Sequence, residues 1–411
     1  MPSSSQRINL RTPEVMLEVQ AKVEQHYRSS LVEKVRSEGG YFSMGKTHFY
    51  LAKQFGFCYG VERAIDLAYA ARKVFPNERL FLVGEIIHNP EVNAQIAALG
   101  IQNLLEGGAT TAIDRLQPDD VVILPAFGTE ITTLEKIKAR GARIVDTTCG
   151  DVMSVWKRVK QNALEEVTSI IHGKASHEET KATASRALGV GKGHYLIVLN
   201  LEETDFVAQY LIEGGDREEF LNKFQGAMSE GFDPDIHLNS LGVANQTTML
   251  RAETEEVQRR LRSAIQQRDG NTKNFRFFDT ICGATQERQE ALLDLLERPL
   301  DFLLVVGGYN SSNTTHLAEI GEKKLPTFFI RNQRCLESLT RLRHYDFHHH
   351  QEVILDSNWM IKSPQESLSI GITAGASCPN NLIEEVMMRL LELRGESHQK
   401  DLIVDNCKSC Y

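Results

Sequence analysis

Asp146-Thr-Thr-Cys-Gly150 returns later in the chain as Asp279-Thr-Ile-Cys-Gly283. Each copy follows a strand-like run, ARIV in the first and FRFF in the second. Each precedes a helix-like run, VMSVWKRVKQNALEEV and ATQERQEALLDLLER. A looser copy, FGFCYG at Phe55–Gly60, stands between HFYLAK and VERAIDLAYAARKV. Three cysteines, Cys58, Cys149 and Cys282, therefore fall on three strand-to-helix turns, where glycine lets the backbone approach whatever they bind.

A second element recurs downstream of each cysteine. LFLVGEIIHNPEVN carries His88, TSIIHGKASHEET carries His177, and FLLVVGGYNSSNTTH carries Ser311, at 30, 28 and 29 residues after the respective cysteines. A third element follows at more variable distance: VVILPAFGT with Phe127, LGVANQTTM with Thr247, and IGITAGASCP with Ser377. Insertions are expected at Glu213–Asp235 and at Leu336–Ser367, the latter with the tract His348–His350. Strands alternating with helical patterns predict parallel α/β units, and such units gather active groups at the carboxyl ends of their strands. The expected fold is α/β, with three pseudo-symmetric domains whose loops converge around an axis. The expected division is an N-terminal helical arm over 1–47, α/β domains over 48–145 (Cys58), 146–278 (Cys149) and 279–398 (Cys282), and a tail over 399–411.

The arm reads as one amphipathic helix or two, ending at Gly39 and Gly40. It is expected on the surface, covering a neighbour or making a dimer contact, so a homodimer is among the partners allowed. The tail holds Cys407 and Cys410, a terminal C-x-x-C that points more to a free end than to metal or redox work. The 411 residues carry a net charge of −9, which disfavours non-specific nucleic-acid binding. No run approaches the ~18 apolar residues of a membrane span, and the first twenty residues lack the apolar core of a secretory signal. A cytoplasmic chain is expected, or a stromal one freed of a plastid leader. The seven cysteines are odd in number and widely spread, unlike a secreted disulfide framework. Cys335 and Cys378 have no equivalents in the other repeats and are expected to be packing residues.

Iron–sulfur clusters that only carry electrons usually have four cysteine ligands. Three thiolates on a four-iron cluster leave one iron open, and an open coordination site marks a catalytic metal centre. Inert core thiols are the plainer alternative. His88, His177, Glu178, Glu179, Ser311, Ser312 and Asn313 lie on the second-element loops, with Thr247, Thr248 and Ser377 on the third. Hydroxyls, amides, imidazoles and the N–H groups of helix starts suit a phosphate or diphosphate, although Ser and Asn also serve as ordinary N-caps. In His-Glu-Glu-Thr, Glu179 is the candidate proton donor to a leaving group and Thr247 the candidate relay. Glu178 suits the helix dipole.

Eight signposts occur in order from about Phe55 to about Leu393: GFCYGVERA, GEIIHNPEVN, DTTCGDV, HGKASHEET, NQTT, DTICGATQERQEA, GGYNSSNTTHLAE and GITAGASCP. Together they resemble the 4-hydroxy-3-methylbut-2-enyl diphosphate reductases, the last enzymes of the non-mevalonate isoprenoid pathway. The resemblance implies a cloverleaf of three α/β domains around an oxygen-sensitive 4Fe–4S cluster with one open iron. It implies Cys58, Cys149 and Cys282 as cluster ligands. It places the substrate's diphosphate on His88, His177, Ser311, Ser312, Asn313 and Ser377, with Glu179 as proton donor and Thr247 close by. Two electrons and two protons then remove the allylic hydroxyl as water, giving isopentenyl or dimethylallyl diphosphate. One departure is Phe127, where many bacterial members have a histidine. That feature and the arm resemble the cyanobacterial and plastid branch, for which ferredoxin is the expected electron donor. Two rivals stay open: a non-redox iron–sulfur hydro-lyase, and a non-enzymatic cluster carrier or sensor.

Overall fold

In a computed structural model, residues 10–105, 110–189, 193–278, 280–356 and 359–396 are described. Along the chain the strands are β1 (Tyr41–Met44), β2 (Thr47–Leu51), β3 (Leu80–Leu82), β4 (Ile101–Asn103), β5 (Val121–Leu124) and β6 (Arg143–Asp146). They continue as β7 (Thr168–His172), β8 (Tyr195–Val198), β9 (Leu241–Asn245) and β10 (Phe275–Phe277). The last are β11 (Phe302–Val306), β12 (Thr327–Ile330), β13 (Arg341–Asp346), β14 (Gln351–Asp356) and β15 (Leu368–Ala374). Several of the inner runs, such as VVIL in β5 and FLLVV in β11, are buried along their whole length. Unbroken apolar runs of this kind are what a parallel sheet covered on both faces requires.

The sheets repeat one strand order. The first is β4-β3-β5-β6 and the second β8-β7-β9-β10, each parallel throughout. The third is β12-β11-β15-β2-β1, parallel except for the antiparallel β1–β2 pair. In each, the strand leading to a cysteine turn, β6, β10 or β2, lies beside the strand of the third element. This corrects one boundary of the sequence reading. The sequence reading split Thr47–Leu51 between the end of the arm and the head of the 48–145 segment, but the strand pairs with β15 in register Thr47↔Leu368 to Leu51↔Ile372. An open strand edge needs partners for its N–H and C=O groups wherever in the sequence they come from, and local periodicity carries no information about that choice.

The described residues form two compact units. One holds the residues up to Pro76, Ile87–Gly100 and the chain from Glu287. Its core joins the third sheet to Leu292 and Leu295 from one helix and Ile383, Val386, Met387 and Leu390 from another. The second unit holds Asn77–Ile86 and Ile101–Gln286, with the first two sheets. Its largest core gathers Val198, Val207, Phe220, Phe224, Val243 and Leu261 around the second sheet.

The arm is two helices, Pro13–Tyr27 and Ser30–Ser37. Ser29 separates them, its hydroxyl accepting from the Val32 N–H at 3.0 Å as the second N-cap. The first helix covers the helix Tyr59–Val74 of the same chain: Val19 and Tyr27 are buried, His26 Nδ1 meets the Tyr69 hydroxyl at 2.7 Å, and Lys73 pairs with Glu18 at 2.6 Å. The expected insertions are found. The first holds the helices Arg217–Lys223 and Pro234–His237. The second holds the hairpin β13–β14, whose turn carries His348 on Glu322 and His349 on Asp346. Cys407, Cys410 and the 399–411 tail lie outside the described residues. Among those described, no helix is long and apolar enough to cross a membrane.

Candidate active site

In the second unit the site residues sit where parallel strands end. β7 ends at His172, and the chain runs through Gly173 to His177, N-cap of the helix Glu178–Leu188. His177 Nδ1 accepts the Glu179 N–H at 3.2 Å, so the neutral ring carries its proton on Nε2. The helix then separates the two acids: Glu178 is exposed, while Glu179 is 3% exposed. Glu179 Oε1 accepts the Thr247 N–H at 2.6 Å, just beyond the end of β9. The carbonyl of the same Thr247 accepts the Cys282 N–H at 3.2 Å. The backbone of one residue, through its N–H on one side and its carbonyl on the other, thus ties the buried acid to a cysteine turn. Cys282 Sγ in turn takes the Thr285 N–H at 3.2 Å.

Gln246 holds these parts in place and had no role in the sequence reading. Fully buried, it accepts from the Thr180 hydroxyl at 3.0 Å and the Lys174 N–H at 3.2 Å. Its Nε2 donates to Thr248 at 2.8 Å. The only sequence signal was its place inside NQTT at a strand end. The Cys149 N–H donates to the Ala126 carbonyl at 2.8 Å, so the loop that contains Phe127 supports this turn. Gly128 beside it has φ +81, and a Cβ there would lie 2.2 Å from the Trp156 ring. Gly128→Ala should therefore cost about 2–3 kcal/mol, from left-handed strain plus overpacking. Chemical denaturation at unchanged m-value measures it.

In the first unit a second group is tied together. The Cys58 N–H donates to the Ala376 carbonyl at 3.2 Å, and the Ala376 N–H donates to Asn313 Oδ1 at 2.9 Å. Ser377 Oγ donates to the His88 carbonyl at 3.1 Å. Asn89, another residue that the sequence reading passed over, donates to the Ser377 carbonyl at 2.9 Å while capping the helix Pro90–Ala98. The Pro after it was the available N-cap signal. Ser311 caps the helix Ser312–Glu322, and His88 Nδ1 lies 3.4 Å from Asn310 Nδ2. Asn313 is 3% exposed and its Nδ2 is a buried donor with no protein acceptor. Such a group needs a partner, and an anion suits it.

Cys58 and Cys149 are N-cap residues, Cys282 directly precedes the helix Gly283–Leu295, and all three are partly exposed. Cys335 and Cys378 are buried, and burial pushes the Cys378 thiol above its ordinary range. The partial positive charge of a helix start suits sulfur anions, and thiolates suit iron–sulfur clusters. Each of the three cysteines therefore has the donor chemistry of an iron–sulfur ligand.

The LytB protein family matches residues 49–391. A 4-hydroxy-3-methylbut-2-enyl diphosphate reductase from Thermosynechococcus vestitus is 44% identical over 381 residues, 92% of either chain. One from Gloeobacter violaceus is 44% identical over 386 residues, 92% of this chain and 90% of its own. One from Prochlorococcus marinus is 42% identical over 397 residues, 95% and 96%. A solved structure of (E)-4-hydroxy-3-methyl-but-2-enyl diphosphate reductase, terminal enzyme of the non-mevalonate pathway, superposes with TM-score 0.51 at 24% identity, over 85% of this chain and 100% of that one. The E-1-hydroxy-2-methyl-but-2-enyl-4-diphosphate reductase of Plasmodium falciparum gives 0.59 at 21%, over 84% and 87%. At these identities the solved structures bear on the fold, and the relatives on descent. A match running from the strand before Cys58 into the last helix, with relatives alike over nine-tenths of their length, leaves one assignment: the chain belongs to the LytB family.

Proposed function

We propose that this chain reduces 4-hydroxy-3-methylbut-2-enyl diphosphate to isopentenyl and dimethylallyl diphosphate, consuming two electrons and two protons and releasing the hydroxyl as water. The observation that carries the proposal is the backbone of Thr247, whose N–H holds the buried Glu179 carboxyl and whose carbonyl holds the Cys282 turn. It joins an acid to a metal-ligand turn, as a protonation coupled to reduction requires.

The proposal takes Cys58, Cys149 and Cys282 as ligands of a 4Fe–4S cluster with one open iron. When bound, the cluster would supply the electrons and a Lewis-acidic iron. The remaining work belongs to the chain. Glu179 is held at Oε1 by the Thr247 N–H, and its buried carboxyl is the group that hands the departing hydroxyl its proton. His177 offers its Nε2 proton, and Asn313 its Nδ2 protons, to the diphosphate. His88, Ser311, Ser312 and Ser377 complete the proposed anion contacts, with Thr247 near the reacting end. Binding the remote diphosphate fixes the allylic carbon, so its binding energy serves the reaction.

Asn313→Ala should raise KM roughly tenfold to a hundredfold, the scale of one charge-assisted hydrogen bond, with kcat much less affected. Steady-state kinetics checks the split. Ferredoxin as donor and a cytoplasmic setting belong to the same proposal, and the cyanobacterial relatives support the cytoplasmic setting. The deciding experiment is an anaerobic assay with and without reduced ferredoxin. Both five-carbon diphosphates should form only with reductant; a dehydrated product formed without it would favour the lyase reading.

A further inference from the structure

We infer that the inserted hairpin β13–β14 buttresses the anion-binding loop and that Tyr345 is a positioning residue for substrate binding, an inference that rests on the diphosphate reading above. The loop runs from Gly307 to Ser311, between β11 and the helix Ser312–Glu322. Gly307 has φ +156. Gly308 passes so close to His88 that a Cβ there would lie 2.4 Å from its carbonyl oxygen. Two adjacent glycines give a chain with little preference for one conformation. The aim of Ser311 and Asn313 therefore depends on a side chain that fixes the loop.

Tyr309 is that side chain. Its ring stacks on Tyr345 with centroids 4.5 Å apart and planes 12° apart. It meets Phe329 of β12 edge-on at 5.2 Å, and its hydroxyl lies 3.7 Å from the buried Cys335 sulfur. The Arg331 guanidinium lies over the same ring at 5.2 Å. Glu352, opposite Tyr345 in the hairpin, pairs with Arg331 at 3.2 Å and with Arg343 at 3.3 Å. The hairpin thus supplies one face of the anchor and, through Glu352, holds the cation beside it. Among the described residues the corresponding connections β4–β5 and β8–β9 carry helical turns and no hairpin. A hairpin at this place is thus peculiar to the third sheet among the described residues.

The test compares Tyr345→Ala with Tyr345→Phe in anaerobically purified holoenzyme, using inorganic diphosphate as a calorimetric probe beside substrate kinetics. Tyr345→Ala should raise the Kd for inorganic diphosphate and the substrate KM about tenfold, or ~1.4 kcal/mol, with kcat and iron content unchanged. Tyr345→Phe keeps the ring and should match the parent. A purely structural role predicts lower thermal stability with Kd and KM unmoved, and that result would overturn the inference, as would equal losses in both variants. A parent protein that binds diphosphate yet turns over no substrate would sink the assigned reaction, while the Kd comparison still decides the role of Tyr345.

Discussion

Glu179→Gln should lower kcat by about 10²–10⁴-fold, the range for losing a positioned general acid, while fold and iron content stay as they were. The substitution is nearly isosteric, and the new amide oxygen can still accept the Thr247 N–H now held at 2.6 Å. What is lost is the transferable proton of the carboxyl, because an amide NH2 does not hand one over. At 3% exposure, solvent has little access to take over. Glu178→Gln is the matched control: that side chain is exposed in the first turn of the same helix, and the substitution takes away a helix-dipole interaction of about 0.3–1 kcal/mol. Turnover with reduced donor, measured beside iron content, separates the two. Equal activity in both variants would remove Glu179 from the chemistry.

The adjacent pair Glu178–Glu179 shows how far sequence carries. Spacing put both on a loop after β7 and gave them different roles, and the helix phase then buries one and exposes the other. The three cysteine turns were legible for the same reason: strand run, glycine-flanked cysteine and helix run are all local signals. The packing roles of Cys335 and Cys378 were also legible, since neither recurs, and both are buried. The partner of Thr47–Leu51 was not legible. It pairs with Leu368–Ile372 from the far end of the chain, and parallel pairing leaves no trace in periodicity. Gln246 escaped because its role lies mainly in bonds to Lys174 and Thr180, about seventy residues away in sequence. The break at Ser29 was open to reading, since a serine pair inside an amphipathic stretch is an N-cap signal.

Cys282→Ser should strip most of the iron and acid-labile sulfide from anaerobically purified protein while leaving the fold intact. The two halves of this expectation have separate causes. Cys282 Sγ accepts the Thr285 N–H at 3.2 Å, and serine is among the best residues for that capping position, so the helix Gly283–Leu295 keeps or improves its start. Its backbone bond to the Thr247 carbonyl does not depend on the side chain. Iron in a sulfide cluster, however, is matched to soft thiolate, and a neutral hydroxyl is a much poorer ligand. Cys378→Ala supplies the contrast: that thiol is fully buried and its burial disfavours the thiolate, so its loss should cost some packing stability and no iron. Iron and sulfide per chain, visible absorbance and circular dichroism read both halves on the same samples. Full iron retention in Cys282→Ser would remove Cys282 from the ligand set, and with it the backbone link through Thr247 between the Glu179 carboxyl and the cluster.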